Sequence, residues 1–521
     1  MDTSETIPTK GPNAIASLGL SRRRLTINSA ATVSNYVLLM VIGLWYTPYM
    51  LHRIPESVYG LVSLATSLTN YLVIVMSMIS GPVGRYVTAD LSRGDIAGAN
   101  ATFNSFFFGG AKIVSVLVVV VLAFCMFLPI NVPAGYEGRA RLLFGSIGIS
   151  LLVSSYSNCF DTAYWATNRF EIRSMLDIAA LLLRNGVVVV LFLFTTPDIW
   201  QISVAVIVTT VFQFVMVYNV WKRLTPELHI DRKAQTPERR KLIYSIGRWL
   251  MGSYVGNQLL MSSDLFLINR YFGSADNAKY GVLLLWASIV RSVFSSIGLI
   301  LQPSLVALEA TESAQNMVAV TSRAIRAIGT LAAHATGVLA GLALPLLTIW
   351  IKKPWVSEVA PLTAIILLPL CFELSSIPLT SLLIAEERIR KTAIFSIATG
   401  FSSVVVSLIL LNTTHLGFYA VALPIAACSM LRYGLCYNIL ATQGLHDKWY
   451  RFVGMEIPMT IRFFATAAVA YGLGYWLQPT SIYAILTCFV LTAIIVLPLS
   501  FLALPKSDRQ MMGHFLRPKV A

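Results

Sequence analysis

Fourteen apolar runs follow one another along the chain, at 27–51, 58–79, 101–128, 141–166, 172–195, 198–221, 242–269, 279–305, 321–351, 356–384, 391–412, 416–441, 457–477 and 481–504. Each is close to the about 20 residues that a helix needs to cross a hydrocarbon slab. Several runs also carry a polar stripe at helical period. The first has Asn28, Thr32 and Asn35, the second Ser63, Thr66, Asn70 and Ser77, the seventh Ser253, Asn257 and Asp264, and the eighth Ser288, Arg291 and Ser295. Such spacing gathers polar groups on one side of a helix, which in a bilayer faces protein or water. Interhelical hydrogen bonding explains any one stripe; four together predict a shared polar cavity lined by Asn35, Asn70 and Asn257.

The longest interior polar segment, "KRLTPELHIDRKAQTPERRK" at 222–241, divides six runs from eight. Across it, "VYGLVSLATSL" at 58–68 answers "KYGVLLLWASI" at 279–289, so that Tyr59 and Gly60 correspond to Tyr280 and Gly281. Duplicated six-span units are a common construction of transporters. The expected fold is an all-α polytopic membrane protein with 14 transmembrane helices: two six-helix lobes around a central cavity, plus two extra C-terminal helices. The expected divisions are an N-lobe at 1–221, a linker at 222–241, a C-lobe at 242–441, and a final pair with tail at 442–521.

Composition agrees, with 56% hydrophobic and 12% charged residues and a mean hydropathy of +0.71. It excludes a soluble enzyme. The net charge of +15 follows from topology rather than nucleic-acid binding: of 39 Lys and Arg, 26 fall in segments on the side of the 222–241 linker, 7 on the other side and six inside spans. That bias places the linker and both termini in the cytoplasm. The basic "SRRR" before the first span resembles the start of a signal peptide, but the run is too long and lacks a small-residue cleavage site, so an uncleaved span is expected. All six cysteines lie in spans with no CxxC pair, as apolar packing residues do.

With the YG pair, "SGPVGRYVTADLSRGD" after the second span and the six-plus-six-plus-two arrangement, the sequence resembles the polysaccharide-transporter branch of the MOP flippase superfamily, which includes the Wzx-type flippases. Fourteen spans are also seen in the lipid II flippase branch, whereas MATE exporters typically have twelve. The resemblance implies two bundles around a cavity, alternating access, and cationic side chains that meet an anionic diphosphate. The implied activity is the flipping of undecaprenyl-diphosphate-linked oligosaccharide from the cytoplasmic to the outer leaflet of the bacterial inner membrane, for cell-surface or exopolysaccharide assembly. Its partners would be membrane lipids and a polysaccharide polymerase or export machinery.

Charges inside the spans locate the chemistry. Arg184 and Arg291 lie near mid-depth, where an uncompensated cation costs at least about 2.5 kcal/mol; both are expected to converge on one diphosphate. Lys112 and Arg432 are shallower and either add field to that site or snorkel to the interface. Arg248 and Arg462 anchor helix ends. Asp264 and Glu373 are the deepest acids and are either ion-pair partners of Arg291 or coupling sites for H+ or Na+. His334 either joins such a relay or packs through hydrogen bonds. No metal site and no cofactor are expected, and there is no Walker "GxxxxGK" motif. Two other functions stay open. One is a MATE-type small-molecule exporter, for which acidic cavity residues would be expected; the other is a membrane-embedded polymerase or transferase, which would need catalytic groups at the outer face, where only Glu137 stands in the longest loop.

Overall fold

Backbone groups in hydrocarbon must find partners within their own segment, and the apolar runs accordingly form helices. The computed structural model describes residues 22–309, 314–385, 389–445 and 447–503, and every regular element among them is helical. Expectations resting on the two tails, or on the side chains of Ser77, Gly81, Arg85, Arg248 and Ser295, lie outside the described residues.

The first half contains α1 (Arg22–Arg53), α2 (Glu56–Ser92), α3 (Ile96–Phe127), α4 (Glu137–Ser157), the short α5 (Thr162–Thr167), α6 (Phe170–Phe194) and α7 (Trp200–Leu224). The second contains α8 (Pro237–Phe272), α9 (Ser274–Glu309), α10 (Ala314–Gly341), α11 (Ala343–Ile351), α12 (Leu362–Ser375), α13 (Ile377–Ala385), α14 (Ile389–Thr413), α15 (Tyr419–Met430) and α16 (Tyr437–Gly444). A final pair follows, α17 (Tyr450–Leu477) and α18 (Ile482–Leu502).

Among the described residues ten helices are each long and apolar enough to cross a membrane, and eleven spans result if α10 and α11, bent by 64°, count as one. The fourteen expected runs all fall on helices or series of helices, and three of them, at 242–269, 279–305 and 356–384, are not among those eleven within the described residues. α8 and α9 carry Glu238, Asp264, Asp276, Lys279 and Arg291, which lower their apolar character. The run at 356–384 is cut into pieces, with Pro378 in the first turn of α13, where a missing N–H is harmless. Outward-facing apolar side chains such as Phe127, Phe194 and Tyr483 are about four-fifths exposed, as lipid-facing positions are in a molecule whose solvent is hydrocarbon.

The two halves meet along α2, which packs on both α8 and α9. Close approach there depends on glycine. A Cβ on Gly60 would fall inside the Ser274 carbonyl, and one on Gly281 would stand 2.9 Å from Ser63 Oγ. The YG pairs at 59–60 and 280–281 therefore mark a crossing at which each half presents its glycine to the other. Further bonds join the halves: Ser67 Oγ donates to Ser262 O at 3.0 Å, Trp350 Nε1 donates to Leu44 O at 2.6 Å, and Lys353 pairs with Glu56 at 3.0 Å. Asn131 and Asn269 clasp one another, with Asn131 N donating to Asn269 Oδ1 at 2.9 Å and Asn131 Nδ2 to Asn269 O at 2.7 Å.

At the opposite end the linker is laid along α3. Asn100 Nδ2 donates to Glu227 O at 2.9 Å while Asn100 Oδ1 accepts from His229 N at 2.8 Å; Asn104 does the same with His229 O and Asp231 N, both at 2.8 Å. Beyond it, Thr236 N donates to Ser105 Oγ at 3.2 Å and Arg239 pairs with Asp90 at 3.3 Å.

The final pair docks on α10. Gly337 and Gly341, spaced by four, let α17 approach until a Cβ on Gly337 would meet Phe463 O at 2.7 Å, the small-residue packing that membrane helices use where apolar burial gives no net attraction. His334 Nδ1 lies 2.8 Å from Thr466 Oγ1 across the same contact, so the histidine packs through a hydrogen bond.

Candidate functional site

Between α1, α6 and α9 lies a cavity of about 240 Å³. Its polar groups are Tyr36 and Tyr46 from α1, Arg184 and Asn185 from α6, and Ser288 and Ser292 from α9; Leu39, Met40, Leu181 and Leu285 supply its apolar walls. Arg184 is at least ten residues from either end of α6, about 15 Å or more by helical rise. It is exposed to this space, and no hydrogen bond or ion pair engages it among the described residues. Among the described residues no carboxylate lines the cavity. A guanidinium so placed needs water or an anionic ligand for its solvation, and it offers a planar fork of donors suited to phosphate oxygens.

The expected convergence of Arg184 and Arg291 is not what the fold produces. The cavity face of α9 is centred on Leu285, Ser288 and Ser292. Arg291 is three residues from Ser288 and falls on the neighbouring strip, with Leu284 and Ala287, facing into the second half. There its Nε donates to both Glu373 oxygens, at 2.9 and 3.1 Å. Of the two readings of Glu373, the ion pair is the one realised. Asp264 shares with Arg291 a second cavity of about 40 Å³, also lined by Tyr280, Pro369 and Ser429. That volume suffices for one or two waters. Asp264 accepts from Leu265 N at 2.8 Å and forms no ion pair with Arg291.

Lys112 and Arg432 do not join the central site either. Lys112 lies at the middle of α3, exposed on the side that bears Val116 and Val119, which are about two-thirds exposed, and it does not line the central cavity. Arg432 is fully buried in a π-helical turn, Leu431–Cys436, with its guanidinium 4.3 Å from the Tyr433 ring centroid and Nη2 donating to Asn257 Oδ1 at 2.8 Å. Asn257 is thereby engaged inside the second half rather than in the central cavity. Asn35 and Asn70 are half-buried and are not among the residues lining that cavity.

Four polar contributors, Ser292 among them, are missing from the sequence expectations. Tyr36, Tyr46 and Asn185 line the cavity, yet two tyrosines among aromatic-rich spans look like interface residues, and Asn185 was overshadowed by Arg184 beside it. Glu456 precedes the apolar run at 457–477, but α17 begins at Tyr450, so this acid lies nearly two turns inside the helix. It is buried and accepts from Ser375 Oγ at 3.2 Å and Asn438 Nδ2 at 3.3 Å. In the first half, Arg173 bridges Asp161 at 2.5 Å and Asp177 at 3.2 Å, which accounts for both acids.

No family model matches the chain. It is 26% identical over 448 residues to the uncharacterized membrane protein EpsK of Bacillus subtilis (strain 168), a match covering 85% of this chain and 88% of that one. Among solved structures it resembles the lipid II flippase MurJ in an inward closed conformation, with a TM-score of 0.57, 12% identity and coverage of 89% of this chain and 98% of the other. It also resembles a multidrug resistance MATE family transporter of the MOP superfamily in its outward-facing conformation, with a TM-score of 0.56, 13% identity and coverage of 88% and 99%. The expected MOP-type architecture is met: this multi-pass, all-helical membrane protein has the fold shared by MOP-superfamily transporters and the flippase MurJ.

Proposed function

We propose that the protein flips a polyprenyl-diphosphate-linked oligosaccharide across the inner membrane of a bacterium by alternating access, supplying cell-surface or exopolysaccharide assembly. The observation that carries this reading is Arg184, which among the described residues has no partner and stands in a cavity lined by no carboxylate. A diphosphate is the substrate group that such a cation selects, and a prenyl tail stays in the surrounding lipid while the head group crosses. The cavity is smaller than the roughly 300–1,000 Å³ usual for small-molecule sites. It holds the phosphate region, and the glycan extends past it as the halves separate. The fold shared with the lipid II flippase MurJ supports a lipid-linked cargo.

Coupling to an ion gradient is part of the proposal, with Asp264 beside its small cavity as the acid that loads. Glu373 takes part through its hold on Arg291. A cationic-drug exporter of MATE type is the second reading, favoured by the fold alone and disfavoured by the absence of acids around Arg184.

The deciding experiment reconstitutes the protein in proteoliposomes with a polyprenyl-diphosphate oligosaccharide in one leaflet and, separately, with a cationic dye. Glycolipid flipping that is lost in Arg184→Ala supports the proposal. Dye export with no glycolipid movement would assign the protein to the second reading.

A further inference from the structure

A groove unrelated to the central cavity runs between α4 and α7. Its volume is about 530 Å³, and its walls are Leu142, Ile149, Val153, Ile207, Val211 and Phe214, with Arg141 at one end. Leu142, Ile207 and Val211 are between two-fifths and three-fifths exposed, so the groove opens on the outer surface of the bundle and not toward Arg184. Two of its three hydroxyl groups face their own helices: Ser146 Oγ donates to Leu143 O at 3.0 Å and Thr210 Oγ1 to Val206 O at 2.8 Å. Apart from Ser150 and the terminal Arg141, what remains of the lining is apolar.

Length and charge identify the occupant. From Arg141 to Val153 the groove follows twelve residues of α4, about 18 Å of helical rise. One leaflet of hydrocarbon is half of about 30 Å. The groove thus runs from the membrane surface at the Glu137 end of α4 to about mid-depth, the reach of one acyl chain. At its surface end the two arginines differ. Arg139 is bound to Asp198 at 2.6 Å, whereas no acid pairs with Arg141 among the described residues, and Arg141 is exposed. A free guanidinium above an apolar slot one leaflet deep matches a phosphate ester joined to a hydrocarbon chain.

We propose that this groove is a binding site for one anionic phospholipid, whose phosphate sits on Arg141 and whose acyl chain lies between α4 and α7. It is separate from the transport cavity and its occupancy is independent of what that cavity carries.

Native mass spectrometry of the detergent-purified protein tests this with phosphatidylglycerol and phosphatidylcholine of identical acyl chains. One phosphatidylglycerol should be retained in preference to phosphatidylcholine. Arg141→Ala should reduce that preference by roughly fivefold, the effect of one basic group at a membrane surface. Val211→Trp, an apolar change at an exposed position that fills the slot, should weaken retention of both lipids while leaving the thermal unfolding midpoint of the lipid-free protein unchanged. Equal retention of the two lipids, or an Arg141→Ala variant with the parental preference, would overturn the proposal. Undecaprenyl phosphate displacing phosphatidylglycerol at equal concentration would overturn it as well, by giving the groove to a prenyl chain.

Discussion

Gly281 of α9 faces Ser63 of α2 so closely that a methyl group on the glycine would stand 2.9 Å from the serine Oγ. One turn toward the start of α2, Gly60 meets the backbone of Ser274 instead. The two glycines differ in what a larger side chain would displace. Gly60→Ala pushes against a carbonyl that cannot move away and should destabilise by about 1–3 kcal/mol, the usual range for overpacking. Gly281→Ala pushes against a side chain, so combining it with Ser63→Gly should recover most of the loss. Thermal unfolding in detergent distinguishes these cases; a Gly60→Ala protein as stable as the parent would mean that the crossing is looser than described.

Arg184 and Arg291 should respond differently to substitution because one faces a cavity and the other an acid. Arg184→Ala is expected to leave stability nearly unchanged and to remove transport, with Arg184→Lys recovering part of it, since an ammonium group lacks the planar fork. Arg291→Ala leaves Glu373 without its partner in a largely apolar setting and should cost on the order of 2 kcal/mol. Arg291→Met with Glu373→Met should restore the stability that either single change loses. Transport assays run beside unfolding curves check both. Equal stability losses for Arg184→Ala and Arg291→Ala would contradict the assignment.

The Asn131 and Asn269 clasp joins the two halves at one end of the molecule. On the alternating-access reading it must open in each cycle. Cysteines at both positions, oxidised to a disulfide, should stop transport, and reduction should restore it. Either single cysteine should remain active. Full activity in the oxidised double variant, with cross-linking verified on a gel, would show that the halves do not part there.

Orientation is tested separately. Lys233 lies exposed in the linker. In a cysteine-free background, Lys233→Cys should react with an impermeant thiol reagent only after lysis, as the excess of basic residues on that side predicts. Labelling in intact cells would invert the topology.

The helices themselves were readable because each apolar run carries its own backbone hydrogen bonds, and the polar charge at Arg184 was readable because nothing nearby in sequence could neutralise it. Facing was harder. Ser288 and Arg291 share a stripe on a helical wheel, yet the boundary between cavity and lobe interior passes between them. Periodicity gives the angle between two residues but not the azimuth at which a helix meets its neighbours. The same limit hid the engagement of Asn257 by Arg432, which are 175 positions apart. Gly60 and Gly281, by contrast, stood out as a repeated dipeptide before their contact was known; the residues that permit the closest approach left the plainest signal.

The bonds made by Asn100 and Asn104 to the linker, continued by Ser105 to Thr236 and Asp90 to Arg239, have a mechanical consequence. A polar segment between two helical bundles would ordinarily act as slack. Here it is fastened to α3 through its backbone, and the first turn of α8 is fastened with it. Farther along, Gly256 of α8 is locked against Ser396 of α14, within the other half. One continuous helix is thus clamped to the first bundle at Arg239 and to the second at Gly256. Rocking of one bundle against the other would then load the α8 backbone between those clamps as well as the contacts that α8 makes with α2, so that a stretch of helix, and not the loop before it, would carry elastic strain.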